Sequence, residues 1–370
     1  MQDCYDLTIV LTIKDRVPFT YRWMQYMNDI ECPYKILIAD GGADSAIEQH
    51  LRNHGINYPY LNCEYVRYPY DATHEDYYKK FENILSLVES EYLLLADNDD
   101  FYLLERIPEI LAFLDAHNDY VGARGQLVNL TLFSKTGVSS ETRSSRYAAV
   151  SRNAVSIDCA SPFDRVENLC RGMSTHDYYA NWYCVFRAEP FHDIWKSLVT
   201  LPIKEMIVLE VLVHVLMTAR GKIKITSKPF YIRQSHTSLF GDTLVIGNEF
   251  LERCIFNNTL SGFGLAIDQF FTDEGEKERH RLVKAIAAWF EVFVTNIYLS
   301  RLRARKSFMF RLREKIKFSP QIYLWLSWVY FRVAHHVLPI PKRSRVRLKV
   351  IERYILSCPE PHERERDHEP

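Results

Sequence analysis

Tyr92-Leu93-Leu94-Leu95-Ala96-Asp97-Asn98-Asp99-Asp100 is an apolar run of strand length that ends abruptly in three carboxylates and an amide. Unbroken apolar character suits a strand covered by helices on both faces, because a strand with one solvated face alternates apolar and polar residues. Ligands of open α/β sheets gather outside the carboxyl ends of the strands, so the run predicts that Asp97 and Asp99 face a ligand. Alternate residues of a continuing strand point the same way, which lets the two carboxylates share one hard divalent cation with positions left open for phosphate oxygens. The spacing points to a metal-diphosphate site. By itself, an Asp-x-Asp pair also describes a solvated turn or a helix cap.

Outward from this run, strand and helix signals alternate. Leu7 to Ile13 is apolar and β-branched, and Pro18 to Asp29 presents Phe19, Trp23 and Met27 at helical spacing. Lys35 to Ala39 reads as a second strand closed by Asp40-Gly41-Gly42, and Asn62 to Arg67 as a third. His74 to Glu89 predicts a helix with Phe81, Ile84, Leu85 and Val88 inward, leading back to the run that ends at Asp97. Such alternation implies right-handed βαβ units and a mostly parallel sheet flanked by helices, an α/β fold. Acids follow three of the strands, at Asp15, Asp40 and Asp97.

The 370 residues, 47% hydrophobic and 25% charged, have the make-up of a soluble globular protein. A net charge of −1 gives no electrostatic footprint for nucleic acid. Eight cysteines without a Cys-x-x-Cys pair indicate neither a zinc site nor a disulfide framework. Residues 1–6 lack a basic segment leading into an apolar one, and no stretch reaches about 18 apolar residues, so the expectation is a reduced, cytoplasmic setting without a spanning helix.

Residues 134–176 are rich in Ser, Arg and Asn with little periodicity, and read as a long loop, either a solvated insertion or a binding segment that turns Arg143, Arg146 and Arg152 towards phosphate. Asn181 to Arg187 reads as an aromatic strand, Lys204 to Arg220 as a helix ended by Gly221, and Ile223 to Thr226 and Pro229 to Arg233 as short strands. Residues 1–244 are thus expected to form one α/β domain, 245–358 a helical region and 359–370 a disordered tail. A basic run from Arg301 to Lys317 beside Trp325 and Trp328 suits a helix lying on an anionic membrane, or the solvated face of an ordinary helical domain.

The ordered series "LTIVLTIKDR", "ILIADGG", "YLLLADNDD", "LEVLVHVLMTARGKI" and "YIRQSHTS" resembles the nucleotide-sugar glycosyltransferases of the GT-A fold, a Rossmann-like architecture, especially the family 2 type and the related bacterial glycosyltransferase-domain proteins. The resemblance covers about residues 6 to 240. It implies that Asp15 and Asp40 contact the nucleotide, that Asp97 reaches ribose or metal, and that Asp99 holds a manganese or magnesium ion. It also implies Glu210 as catalytic base of an inverting reaction, with Arg233 and His236 at the metal-diphosphate. Leu209 stands where many members carry a second acid, and Glu205 is the fallback base. Tyr183 and Trp182 are candidates for an acceptor pocket, against an ordinary core role.

The implied activity is transfer of a sugar from a nucleotide-sugar donor to a hydroxyl of a glycan or lipid-linked acceptor, as in bacterial surface polysaccharide assembly, with peripheral contact at the inner face of the cytoplasmic membrane. The rival readings are a magnesium-dependent phosphohydrolase, a nucleotidylyltransferase and a non-catalytic scaffold. The first lacks a convincing N-terminal nucleophile and the second lacks a glycine-rich phosphate loop. The full set of acids argues against the third.

Overall fold

The computed structural model describes residues 6–134, 143–149, 155–173, 181–201, 203 and 206–235, with short pieces at 265–266, 275, 277, 279–284, 286 and 350–351. Its first part runs β1 (Leu7–Ile13), α1 (Val17–Asp29), β2 (Lys35–Asp40), α2 (Ala46–His54), β3 (Cys63–Arg67), α3 (His74–Leu85) and β4 (Tyr92–Ala96). The four strands pair in parallel in the order β3-β2-β1-β4, with Ile13 beside Asp40 and Leu11 beside Ala96. That register brings the loops after β1, β2 and β4 to one edge of the sheet. β1 and β4 are buried on both faces, and Phe19, Trp23 and Met27 of α1 are buried as their spacing predicts.

The second part adds β5 (Phe101–Tyr102), α4 (Ile107–Ala116), β6 (Tyr120–Ser134), β7 (Arg143–Ala149), α5 (Pro162–Met173), β8 (Val185–Arg187), α6 (Ala188–Leu198), α7 (Met206–Arg220) and β9 (Lys222–Ser235). The sheet continues β4-β8-β6-β9-β5, with β7 on β6. Here only β6 and β9 are parallel; β8 runs against β4 and β6, β7 against β6 and β5 against β9. The molecule is therefore an α/β protein whose parallel pairing is concentrated in its first half.

Several sequence expectations are corrected. The stretch 134–176 is not an unbroken loop. β7 pairs along β6 from Val128↔Ala149 to Ser134↔Arg143, and α5 buries Val166, Leu169 and Cys170 at helical spacing. Strand β7 is a polar run stabilised by its ladder, which hydrophobic alternation cannot reveal. The two short strands expected after Gly221 are one long β9 with register shifts near Gly125, where a Cβ would lie 2.3 Å from the Lys228 carbonyl oxygen. The strand expected from Asn181 spans only Val185–Arg187. Helix α3 stops at Leu85, where tight bonds such as Leu87 N–H to the Ile84 carbonyl turn the chain towards β4.

Leu282 and Ile286 are buried, and the Arg281 guanidinium lies 3.9 Å from the Phe163 ring centre, so this part of the C-terminal region packs on α5. The basic run, Trp325, Trp328 and residues 359–370 lie outside the described residues. No described helix is long and apolar enough to cross a membrane. Cys32, Cys63, Cys159, Cys170 and Cys184 are free thiols.

Candidate active site

Chain reversal after β4 gathers three carboxylates. Asp97, Asp99 and Asp100 each present an oxygen within 4.8 Å of the others, the only such acidic or metal-ligating group among the described residues. An all-oxygen set at this spacing fits a hard divalent cation and not a soft one. The three acids are not equivalent. Asp100 is buried, accepting from the Tyr231 hydroxyl and, at 2.8 Å, from the Gln234 backbone N–H, so it ties β9 to the loop. Asp97 accepts from the Tyr183 hydroxyl at 2.8 Å, and Tyr183 stacks on Tyr231 at 3.7 Å between ring centres. Asp99 pairs with Arg16 at 2.8 Å.

Burial and then the neighbouring Asp99 charge push Asp97 up to about 6, against the Tyr183 hydrogen bond and Arg233. The same two causes raise Asp100 well above the carboxylate range. Like charges so close favour protonation of Asp97 and Asp100 until positive charge arrives. Arg233, on β9, partly meets that need. Burial works to lower its affinity for a proton, but Tyr183, Asp100, Tyr231 and Asp97 together hold it above its ordinary value.

In front of Asp97 and Asp99 opens a cavity of about 410 Å³, lined also by Lys14, Arg16, Asp71, Tyr77, Lys80 and Met206. The cations come from the loop after β1 and from α3. Lys14 Nζ donates to the Asp71 carbonyl at 2.6 Å, and buried Lys80 donates to the Ile13 carbonyl at 2.9 Å and to the Asp71 carboxylate. Burial pushes Asp71 up and Lys80 down, each against the pull of the other. Asp71 rests on Gly41, where a Cβ would lie 2.4 Å from the carboxylate, so a side chain there would expel the pair.

Glu210 lies one turn beyond Met206 on α7, the same helix face that reaches the cavity. Burial and then the charge of Asp97 push it up to about 7, with Arg233 opposing. A carboxylate with this proton affinity suits proton transfer near neutrality. Tyr77, which lines the cavity, is raised by burial and also by the charges of Asp97 and Glu210.

Asp97, Asp99, Glu210 and Arg233, singled out in the sequence, therefore share one electrostatic neighbourhood. His236 and Glu205 lie outside the described residues. Asp15 is exposed and accepts from the Ala43 N–H at 2.8 Å, bracing two loops and not lining the cavity. Asp40 is buried, its oxygens taken by Gly42 N–H at 2.7 Å, the Tyr65 hydroxyl at 2.7 Å and Arg67 at 3.1 Å. Trp182 packs in a buried ring cluster with Phe81, Phe191 and Trp195. Sequence reasoning missed the roles of Arg16, Asp71, Lys80 and Tyr231. Only a basic residue beside the first acid, Arg16 after Asp15, left a readable signal.

No protein-family model and no curated protein matches this chain. Among solved structures it is similar to TarS 1–349 of S. aureus, at 13% identity and a TM-score of 0.48 over 81% of this chain and 74% of that one. The same S. aureus protein in complex with UDP-GlcNAc gives 13% identity and a TM-score of 0.43, over 80% and 85% of the two chains. The mannosyltransferase PcManGT of Pyrobaculum calidifontis, in complex with GDP-Man and Mn2+, gives 10% and 0.42, over 88% and 86%. Likeness at this level carries no chemistry to this chain, whose own residues have to supply it.

Proposed function

We propose that the protein is a metal-dependent glycosyltransferase that moves a sugar from a nucleotide-sugar donor to an acceptor hydroxyl with inversion. One observation carries the reading. Asp97 and Asp99 face a cavity edged by Lys14, Arg16 and Lys80, and Glu210, pushed up to about 7, lies close enough for Asp97 to raise it. Asp97 and Asp99 would hold a manganese or magnesium ion, which when bound supplies the positive charge that lets a nucleoside diphosphate leave. Lys14 adds fixed positive charge at the cavity edge beside the diphosphate, the charge of Lys80 being taken up by Asp71.

Glu210 acts from the far side. Its carboxylate accepts the proton of the acceptor hydroxyl as that oxygen bonds to the anomeric carbon and the bond from that carbon to the diphosphate oxygen breaks. Arg233 opposes protonation of both Asp97 and Glu210. His236 stands three residues beyond Arg233 and joins the metal-diphosphate set in this reading. Asp15 and Asp40 shape the nucleotide end by bracing the loops after β1 and β2. A glycan or lipid-linked saccharide is the acceptor class, supported by the basic, aromatic run at 301–328, which suits contact with an anionic membrane.

The test is a panel of nucleotide sugars incubated with Mn2+, with Mg2+ and with chelator. Metal-dependent release of nucleoside diphosphate supports the reading. Failure of every donor to bind or turn over rejects it.

A further inference from the structure

Arg16 pairs with one of the three clustered acids from a strained stretch of backbone. It is the N-cap residue of α1, in the left-handed region at φ 55° directly after Asp15 at φ 56°. Side chains rarely adopt this backbone, and two in succession are retained only where surrounding contacts demand it. The conformation turns Arg16 across the gap between the loops after β1 and β4, and its guanidinium reaches Asp99 Oδ2 at 2.8 Å. The Asp99 side chain is 9% exposed and that of Arg16 24%, so the acid is enclosed while the base borders the open cavity.

A dication taking Asp99 and a guanidinium holding the same carboxylate repel each other, so the two compete for it. A nucleoside diphosphate offers Arg16 another partner, because its planar fork matches phosphate oxygens as well as carboxylate ones. We propose that Arg16 is a displaceable counter-ion: it neutralises Asp99 in the donor-free protein, weakens binding of a lone divalent cation, and moves to the phosphates when cation and nucleotide enter together. Cation and nucleotide then bind with positive coupling, each raising the affinity of the other by the same factor. This rests on the proposed reaction and adds to it a reason why the site stays closed to cations alone.

The test uses the full chain at mildly alkaline pH, with free Mn2+ read by its paramagnetic resonance signal, alone and with UDP, GDP or ADP. In the wild type, Mn2+ alone should bind weakly and nucleotide should tighten it. In Arg16→Gln the competitor is gone, so Mn2+ alone should bind about fivefold tighter. Nucleotide in the presence of Mn2+ should bind about tenfold weaker, as a charge-assisted phosphate contact is lost. Arg16→Lys keeps the charge without the fork and should leave Mn2+ alone within about twofold of wild type while weakening nucleotide.

Opposite movement of the two affinities is what a packing role would not produce. If wild type binds Mn2+ and nucleotide but Arg16→Gln weakens both, or leaves Mn2+ alone unchanged, the counter-ion role is overturned and the proposed reaction stands. If Arg16→Gln does not fold, an Arg16→Lys protein that weakens Mn2+ alone overturns it equally. Wild type that binds no Mn2+ with any nucleotide overturns both.

Discussion

The parallel strands β3-β2-β1-β4 and the mixed strands β8-β6-β9-β5 contribute opposite kinds of polar group to the same edge of the sheet. Around the parallel half, acids meet cations: Asp71 with Lys80, Asp99 with Arg16 and Asp40 with Arg67. From the mixed half come Tyr183, Tyr231 and the Gln234 backbone amide, all neutral donors, with Arg233 as the charged exception. Parallel connections return every strand in the same direction, so loops that carry charge accumulate at one edge. The mixed strands approach that edge from across the sheet and fix what has gathered there. The parallel half thus assembles the charges, and the mixed half locks their positions.

The sharpest way to break this division is Asp99→Asn, which removes charge from the assembling half. Turnover should fall by about 10³-fold and its dependence on Mn2+ should vanish, because an amide lends no negative charge to the cation. Steady-state rates with and without chelator decide it, and near-normal rates would remove Asp99 from the metal set.

Glu210→Gln comes next, with turnover expected to drop about 10²-fold while donor affinity holds. Wild-type turnover should climb with pH and level off as Glu210 loses its proton, at a midpoint no higher than about 7, because a cation on Asp97 offsets one of the two causes that raise Glu210. The linkage to stability has the opposite sign. A carboxylate whose folded pKa is raised contributes most below its unfolded value, and that contribution disappears as pH rises through about 7. The glutamine variant should flatten both curves, and a rate profile indifferent to the substitution would leave Glu210 structural.

Tyr231→Phe probes the locking half. It withdraws a hydroxyl from buried Asp100 and should cost about 2 kcal/mol of stability by denaturant unfolding. Turnover should fall less than in either acid variant. A variant as stable as wild type would show that the Tyr231 hydroxyl does not hold the loop.

The smallest effect belongs to Lys228→Ala, which breaks an exposed pair with Glu109 away from the cleft. Unfolding should shift by about 0.5 kcal/mol or less. A larger loss would mean that the mixed half depends on surface pairing more than on its buried tyrosines.

The legible parts of this chain share one physical property. β1, β4 and α1 bury apolar residues at periods of two or less, or of 3.6, and each period is written in the local sequence. The acids of the β4 loop are legible for a related reason, since three charges directly after an apolar run mark the end of the strand. β7 was hidden and the length of β8 overstated, because a polar strand and a three-residue strand are stabilised by the neighbours they pair with. The roles of Arg16 and Lys80 were hidden likewise: their partners Asp99 and Asp71 are 83 and 9 residues away, and only the fold brings them together.

By itself the sequence determined an α/β core, the edge at which its acids collect, and Asp97 and Asp99 at the end of the apolar run, while Asp15, Asp40, Glu210, Arg233 and His236 followed from the family resemblance. Hydrophobic period and charge are properties of neighbouring positions, so they can be read without the fold. Only the tertiary structure decided which acids stay free for chemistry. Asp40 is saturated by Gly42, Tyr65 and Arg67, and Asp15 is turned outward to brace a loop. Asp100 is locked by Tyr231 and Gln234, and Asp99 is held by an arginine from another strand's end. A carboxylate's role depends on how many of its lone pairs the surrounding backbone and side chains already occupy. That count is set by packing between distant segments.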